Sequence, residues 1–116
     1  MMLTVLALMG ALQATPADVQ AMNGRWYVDL SVKADEPYVK PMNLQLQPDG
    51  GVSGDFYDST IEAGRWKKKG ERVCVSFRTT DGKGPYHTAA CLAGTTIQGQ
   101  TWAEHRNFVF LWSASR

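Results

Sequence analysis

From residue 24 onward, apolar and polar residues alternate with a period of two, which is typical of half-buried β-strands. The first predicted strand covers residues 24–32. Its apolar face consists of Trp26, Val28, Leu30 and Val32. No helical pattern of useful length follows residue 21, so the chain beyond that point is expected to be all-β.

Seven further strands are predicted between turn sequences such as Pro48-Asp49-Gly50-Gly51. They cover residues 42–46, 52–56, 61–67, 72–80, 86–92, 96–104 and 107–113. Short strands joined by hairpin-like turns favour an eight-stranded antiparallel up-and-down barrel. Closure also removes the exposed sheet edges that invite aggregation. A flat sandwich is the alternative.

The first residues differ from the rest of the chain. Residues 3–12 are uncharged and mostly apolar, but a bilayer span needs about 20 such residues. Val19-Gln20-Ala21 then provides a small-x-small cleavage pattern. We therefore predict a signal peptide at residues 1–21 and a single barrel domain at residues 22–116. The protein would then be exported, either periplasmic or secreted. Cleavage after Ala14 or Ala17 is also compatible, and an N-terminal core helix is the competing interpretation.

Charge and length restrict the function further. The 116 residues suit one domain, and 12 Lys and Arg against 11 Asp and Glu leave a net charge of +1. This balance argues against a nucleic-acid partner, which needs clustered cations to neutralise phosphates. The one basic run, residues 67–69, is interpreted as a solvated turn. No membrane span is predicted.

The hairpin around residues 81–84 predicts a disulfide. If this loop closes the hairpin, Thr80 pairs with Pro85, and the same register places Cys74 opposite Cys91. Because proline has no N–H, its pair should be non-hydrogen-bonded, and alternation along the ladder makes the cysteine pair non-hydrogen-bonded too. Such pairs have Cα atoms about 4.5 Å apart, within the range of a disulfide. Two free thiols are the alternative if the protein is not exported.

The same register assigns side chains to the two faces of the barrel wall. Val73, Val75 and Phe77 should point inward, whereas Cys74, Ser76 and Arg78 should point outward. His87 then lies on the surface beside Arg78. The sequence contains no nucleophile–base–acid arrangement and no metal-ligand spacing. We therefore predict neither catalytic residues nor a metal or cofactor, and expect that the protein is not an enzyme.

Several short motifs resemble the avidin and streptavidin family. Gly24-Arg25-Trp26-Tyr27 is similar to the opening strand of that family, and Gly64-Arg65-Trp66 to its fourth strand. Asp49-Gly50-x-Val52-Ser53-Gly54, with Phe56 and Asp58 after it, resembles the second hairpin. Trp102 lies where the seventh strand of the family carries a tryptophan. The resemblance implies an eight-stranded barrel with a ligand cup at one end, and a possible homo-oligomer.

The chain departs from this family at the polar groups that bind biotin. Val28 and Val32 stand where the family has hydrogen-bonding side chains, and Phe56 stands where it has a tyrosine. Each missing donor costs about 1–3 kcal/mol, so tight biotin binding is not expected. A small apolar or ring-containing ligand is predicted instead. The ligand-binding candidates are Phe56, Tyr57, Asp58, Phe77, Thr88 and Trp102. The alternative is that these aromatic residues only fill the core.

Two polar loops, residues 79–87 and 102–108, should open at the same end of the barrel because they are alternate connections. The predicted rim residues are Asp81, Lys83, His87, Glu104, His105 and Arg106. A structural rim of weak surface ion pairs is the alternative interpretation. Two functions therefore compete. The favoured one is an exported avidin-like or lipocalin-like ligand-binding barrel. The other is an envelope or secreted interaction module, for example an inhibitor, that acts through its rim loops.

Overall fold

A computed structural model describes residues 15–116 of the chain. The described part contains a short helix, nine strands and one 3-10 turn. The helix is α1 (Ala17–Gln20) and the turn is η1 (Glu104–Arg106). The strands are β1 (Gly24–Asp29), β2 (Val39–Leu46), β3 (Gly51–Phe56), β4 (Ser59–Thr60), β5 (Glu62–Lys69), β6 (Arg72–Thr80), β7 (Pro85–Ala93), β8 (Thr96–Ala103) and β9 (Phe108–Ser115). No helix in this part is long and apolar enough to cross a membrane.

The strands close into an eight-stranded antiparallel barrel. Neighbours in sequence pair along the sheet, β1 pairs with β9, and β2 pairs with β3. The two-residue strand β4 and the longer β5 both pair with β3, so together they form one interrupted strand of the wall. The predicted barrel is thus confirmed.

The interruption differs from the continuous strand predicted at residues 61–67. Ala63 has a φ of 52°, and the pairing register with β6 shifts between Glu62 and Arg65. Gly64 also approaches β3 so closely that an added Cβ would lie 2.2 Å from the Val52 carbonyl oxygen. The bulge thus lies where β5 approaches β3 too closely for a residue larger than glycine.

The inward positions of the strands make one continuous core. In β6 and β7, Val73, Val75, Phe77 and Ala90 are buried, as the hairpin register predicted. Cys74 and Cys91 are paired in register and form the predicted disulfide, with Cα atoms 4.0 Å apart.

The first strand is shorter than predicted, because β1 ends at Asp29. The Asp29 carboxylate accepts a hydrogen bond from the Ser31 backbone N–H at 2.9 Å, which turns the chain away from the wall. Leu30 remains buried, but Val32 lies in the following loop and is 83% exposed. The prediction that Val32 belongs to the inward face is therefore wrong.

Residues that precede β1 cover one end of the barrel, which we call the closed end. Val19 and Met22 are fully buried in the core. The Met22 carbonyl accepts a hydrogen bond from the Trp26 indole N–H at 2.9 Å, and the Lys68 ammonium lies 2.8 Å from the Asp18 carboxylate. The folded unit therefore includes residues ahead of position 22. The predicted signal peptide covers residues 1–21. Residues 1–14 lie outside the described part, so the signal peptide stays a prediction.

Candidate functional site

An open cavity of about 440 Å³ occupies one end of the barrel. It is lined by Leu30, Phe56, Tyr57, Asp58, Ser59, Thr79, Thr80, Asp81, Tyr86, Thr101, Arg106 and Phe110. These residues come from the ends of β1, β3, β6 and β8, from β4, from the first residues of β7 and β9, and from the turns between strands. We call this cavity the cup. Its size is in the range of pockets that hold small molecules.

The base of the cup is aromatic. The Phe56 ring packs against Phe77 at 6.2 Å and against Trp112 at 5.7 Å between centroids. Phe77 and Trp112 are almost fully buried and lie beneath the cavity instead of lining it. The interior is thus filled in its lower part and open in its upper part.

Three buried polar groups join beneath the cup. The Trp112 indole N–H donates to the Thr101 hydroxyl at 2.9 Å, and the Thr101 and Thr88 hydroxyls lie 2.8 Å apart. Gly99 makes room for this arrangement, since an added Cβ would lie 2.5 Å from the Trp112 ring. Thr88, a predicted ligand residue, is therefore part of this buried network, whereas Thr101 itself lines the cup.

The turn between β3 and β4 carries two of the predicted ligand residues. Tyr57 and Asp58 have φ values of 56° and 63°, the left-handed region that a two-residue hairpin turn of type I′ demands. Such turns favour Asn and Gly, and a tyrosine rarely adopts this left-handed backbone conformation. The Tyr57 ring packs edge-on against Tyr38 at 5.9 Å, and the Lys40 ammonium lies 5.0 Å from its centroid. The turn thus presents a fixed aromatic ring and a carboxylate at the mouth.

The other side of the mouth is made by the two polar loops, which do lie together. The Tyr86 hydroxyl donates to the Asp81 carboxylate at 2.7 Å and accepts from the Arg106 guanidinium at 3.0 Å. The His105 ring packs edge-on against Tyr86 at 5.1 Å and lies 3.9 Å from Asp81. The rim is therefore one connected group of side chains that spans both loops.

This network shifts two pKa values. The hydrogen bond from Tyr86, with a second from the Lys83 backbone N–H, holds the pKa of Asp81 below its ordinary value of 3.8. Burial, reinforced by the hydrogen bond to Asp81, raises the pKa of Tyr86 above 10.0. At neutral pH the rim therefore carries an ionised carboxylate and a neutral phenol.

Four predicted site residues, Trp102, His87, Glu104 and Lys83, lie away from the cup. Trp102 is 46% exposed on the outer wall, where its ring lies 5.8 Å from that of His87. Glu104 begins the 3-10 turn and is exposed. Lys83 is exposed and contributes only its backbone N–H to the rim.

The prediction that Trp102 faces the interior is wrong, and the reason is the β7–β8 hairpin. A two-residue turn at residues 94–95 pairs Ala93 with Thr96, so Ile97 lies opposite the inward-facing Leu92. Odd-numbered positions of β8 therefore point inward, and the even-numbered Trp102 points outward. The indole that is buried near the cup is that of Trp112, on the next strand. The turn could have been recognised from Gly94, whose φ is 64°.

The cup also contains residues that the sequence did not single out. They are Leu30, Ser59, Thr79, Thr80, Tyr86, Thr101 and Phe110. Most of them lie near the ends of strands and form no recognisable motif in the sequence. Only closure of the barrel brings them around one cavity.

Fold and site together describe a closed eight-stranded barrel with a small-molecule-sized cup at one end. A comparison of the chain with protein-family models, with curated proteins and with solved structures finds no significant match.

Proposed function

We propose that the protein is an exported binding barrel that holds a small ring-containing compound in the cup. The observation that carries the proposal is the open volume of about 440 Å³ above an aromatic base. Leu30, Phe56 and Phe110 offer apolar surface to a ring, while Asp58 and Arg106 offer charge at the mouth. An apolar pocket with a few convergent polar groups is the usual form of a small-molecule site.

Backbone strain at the mouth supports the same assignment. Tyr57 and Asp58 both occupy the left-handed region without being glycine. Such strain costs about 1–3 kcal/mol per residue and clusters at ligand-binding sites. A turn held only for folding would gain stability from the Asn-Gly pair that this geometry prefers.

Biotin is not the ligand that we propose, although short motifs of the chain resemble the avidin family. Val28, which stands where the avidin family has a polar group, is fully buried and has no hydrogen-bonding side chain. A site that relies on several donors loses about 1–3 kcal/mol with each one that is missing. Nanomolar biotin binding would contradict this part of the proposal.

The rim supports ligand binding more than action on a protein partner. Asp81 and Tyr86 are hydrogen-bonded to each other, which leaves fewer free groups for a partner surface. We therefore propose binding in the cup, and not inhibition through the loops, as the function.

Export is proposed from the disulfide, since such bonds persist in oxidising compartments. Cleavage after Ala14 suits this proposal better than cleavage after Ala21. The later cut would remove the buried Val19 and the Asp18 partner of Lys68.

Native mass spectrometry tests the proposal directly. The protein, purified from its source and separately exposed to a small-molecule extract of the same cells, should carry a stoichiometric added mass. Phe110→Ala removes one wall of the cup and should release that mass. Leu111→Ala is the matched control, because Leu111 is the next residue and is 77% exposed on the outer face. Absence of any bound compound, or equal retention by both variants, would refute the proposal.

A further inference from the structure

A shallow groove of about 590 Å³ lies on the outer wall, across β5, β6, β7 and β8. Its base is formed by the Cys74–Cys91 disulfide and by the neighbouring pair Ser76 and Ala89. These outward side chains are small, while those on either side are long. The groove is therefore a direct result of the pairing register between β6 and β7.

One side of the groove is positively charged. Arg65 and Lys67 alternate along the outer face of β5, and Arg72 begins β6 on the same face. Within residues 15–116 these three cations form no ion pair. The intervening Lys68 has a different role, since it binds Asp18 at the closed end of the barrel. The basic run is thus divided between two surfaces, and its outward part carries uncompensated charge.

The opposite side is neutral and polar. Gln98 and Gln100 extend from the outer face of β8, with Gln98 paired to Cys91 and Gln100 to Ala89. A primary amide both donates and accepts hydrogen bonds, so it can pair with the N–H and C=O groups of a peptide. The groove therefore offers cations along one side and main-chain partners along the other.

The spacing of these groups suits an extended chain. Side chains on one face of a strand recur about every 6.6–6.8 Å, because each residue advances about 3.3–3.4 Å. An extended ligand peptide presents alternate side chains at the same interval. Since the barrel is closed, a partner cannot add a strand to an open edge and must be recognised through side chains.

We propose that this groove binds an extended acidic segment of a partner protein, with Asp or Glu at alternate positions. The carboxylates lie against Arg65, Lys67 and Arg72. The two arginine guanidinium groups can form paired hydrogen bonds to carboxylates. The peptide main chain lies against Gln98 and Gln100. This site is separate from the cup and does not depend on the proposed small ligand.

Fluorescence anisotropy with a labelled peptide of alternating Glu and Ser tests the proposal. We expect saturable binding that weakens as salt screens the charges. A peptide of the same composition, but with its Glu residues contiguous, should bind at least about threefold more weakly, because its charges do not match the spacing. The double variant Arg65→Gln/Lys67→Gln should lose about tenfold or more in affinity.

The double variant Lys33→Gln/Lys83→Gln is the matched control. It removes the same charge from exposed loops outside the groove and should stay within about twofold of the parent protein. Near-ultraviolet circular dichroism confirms that both variants are folded. Three results would overturn the proposal: no saturable binding up to about 1 mM peptide, equal losses in the two variants, or equal affinity for the two peptides. Tighter binding of a linear oligouronate of equal charge would instead assign the groove to a polysaccharide.

Discussion

The buried network beneath the cup makes a strong prediction about Thr101. The Thr101 hydroxyl is the acceptor for the Trp112 indole N–H at 2.9 Å and the partner of the Thr88 hydroxyl at 2.8 Å. Thr101→Val keeps the shape of the side chain but removes both bonds. Trp112 is 4% exposed, so its N–H would have no access to water.

The expected cost follows from these two losses. An unsatisfied buried donor costs about 1–3 kcal/mol, and the hydrogen bond lost by Thr88 adds about 1 kcal/mol. We therefore expect the free energy of unfolding to fall by about 2–4 kcal/mol in Thr101→Val. Urea denaturation at neutral pH, followed by tryptophan fluorescence, measures the change in midpoint.

A double-mutant cycle separates the hydrogen bond from packing. In Thr101→Val/Trp112→Phe the indole N–H is absent, so only the Thr88 hydroxyl loses its partner, and the valine substitution should cost less than in the parent protein. Thr88→Val, which leaves the indole bond intact, should cost only about 1 kcal/mol. A loss below about 0.5 kcal/mol in Thr101→Val would refute the reasoning, because surface substitutions produce changes of that size.

Three further predictions concern the disulfide, the closed end and the rim. The folded protein should contain no free thiol, and Cys74→Ser should destabilise it by about 3 kcal/mol through loss of the cross-link; thiol titration and thermal unfolding check both statements. Met22→Ala should cost about 2–5 kcal/mol, because Met22 is fully buried at the closed end; a change under about 1 kcal/mol in urea would show that this end is not part of the core. The pKa of Asp81 is below 3.8 in the folded protein, so its stabilising effect is present above that pH and is lost as the pH falls through the folded value. The loss of stability between neutral and acidic pH should consequently be smaller in Asp81→Asn, and identical pH profiles would contradict the rim network.

Local pattern and turn chemistry determined much of this fold. Alternation of apolar residues predicted the strands, and the four-residue loop before Pro85 fixed a register in which Cys74 meets Cys91. Such features depend on residues close in sequence, where turn geometry and side-chain period leave few alternatives. The sequence also indicated that Tyr57 or Asp58 would lie near the mouth, and both line the cup.

Only the tertiary structure decided that Trp102 is exposed and that residues ahead of position 22 join the core. The turn that precedes β8 determines which of its residues point inward. A shift of one residue in the register would turn Trp102 inward and its two neighbours outward. Val19 looked like part of a leader, yet it is buried against strands far along the chain. Likewise, the basic run of residues 67–69 divides between the closed end and the outer groove only because β5 is a strand with two faces in a closed wall. The cup itself exists because closure gathers strand ends that are distant in sequence, and no local pattern encodes that gathering.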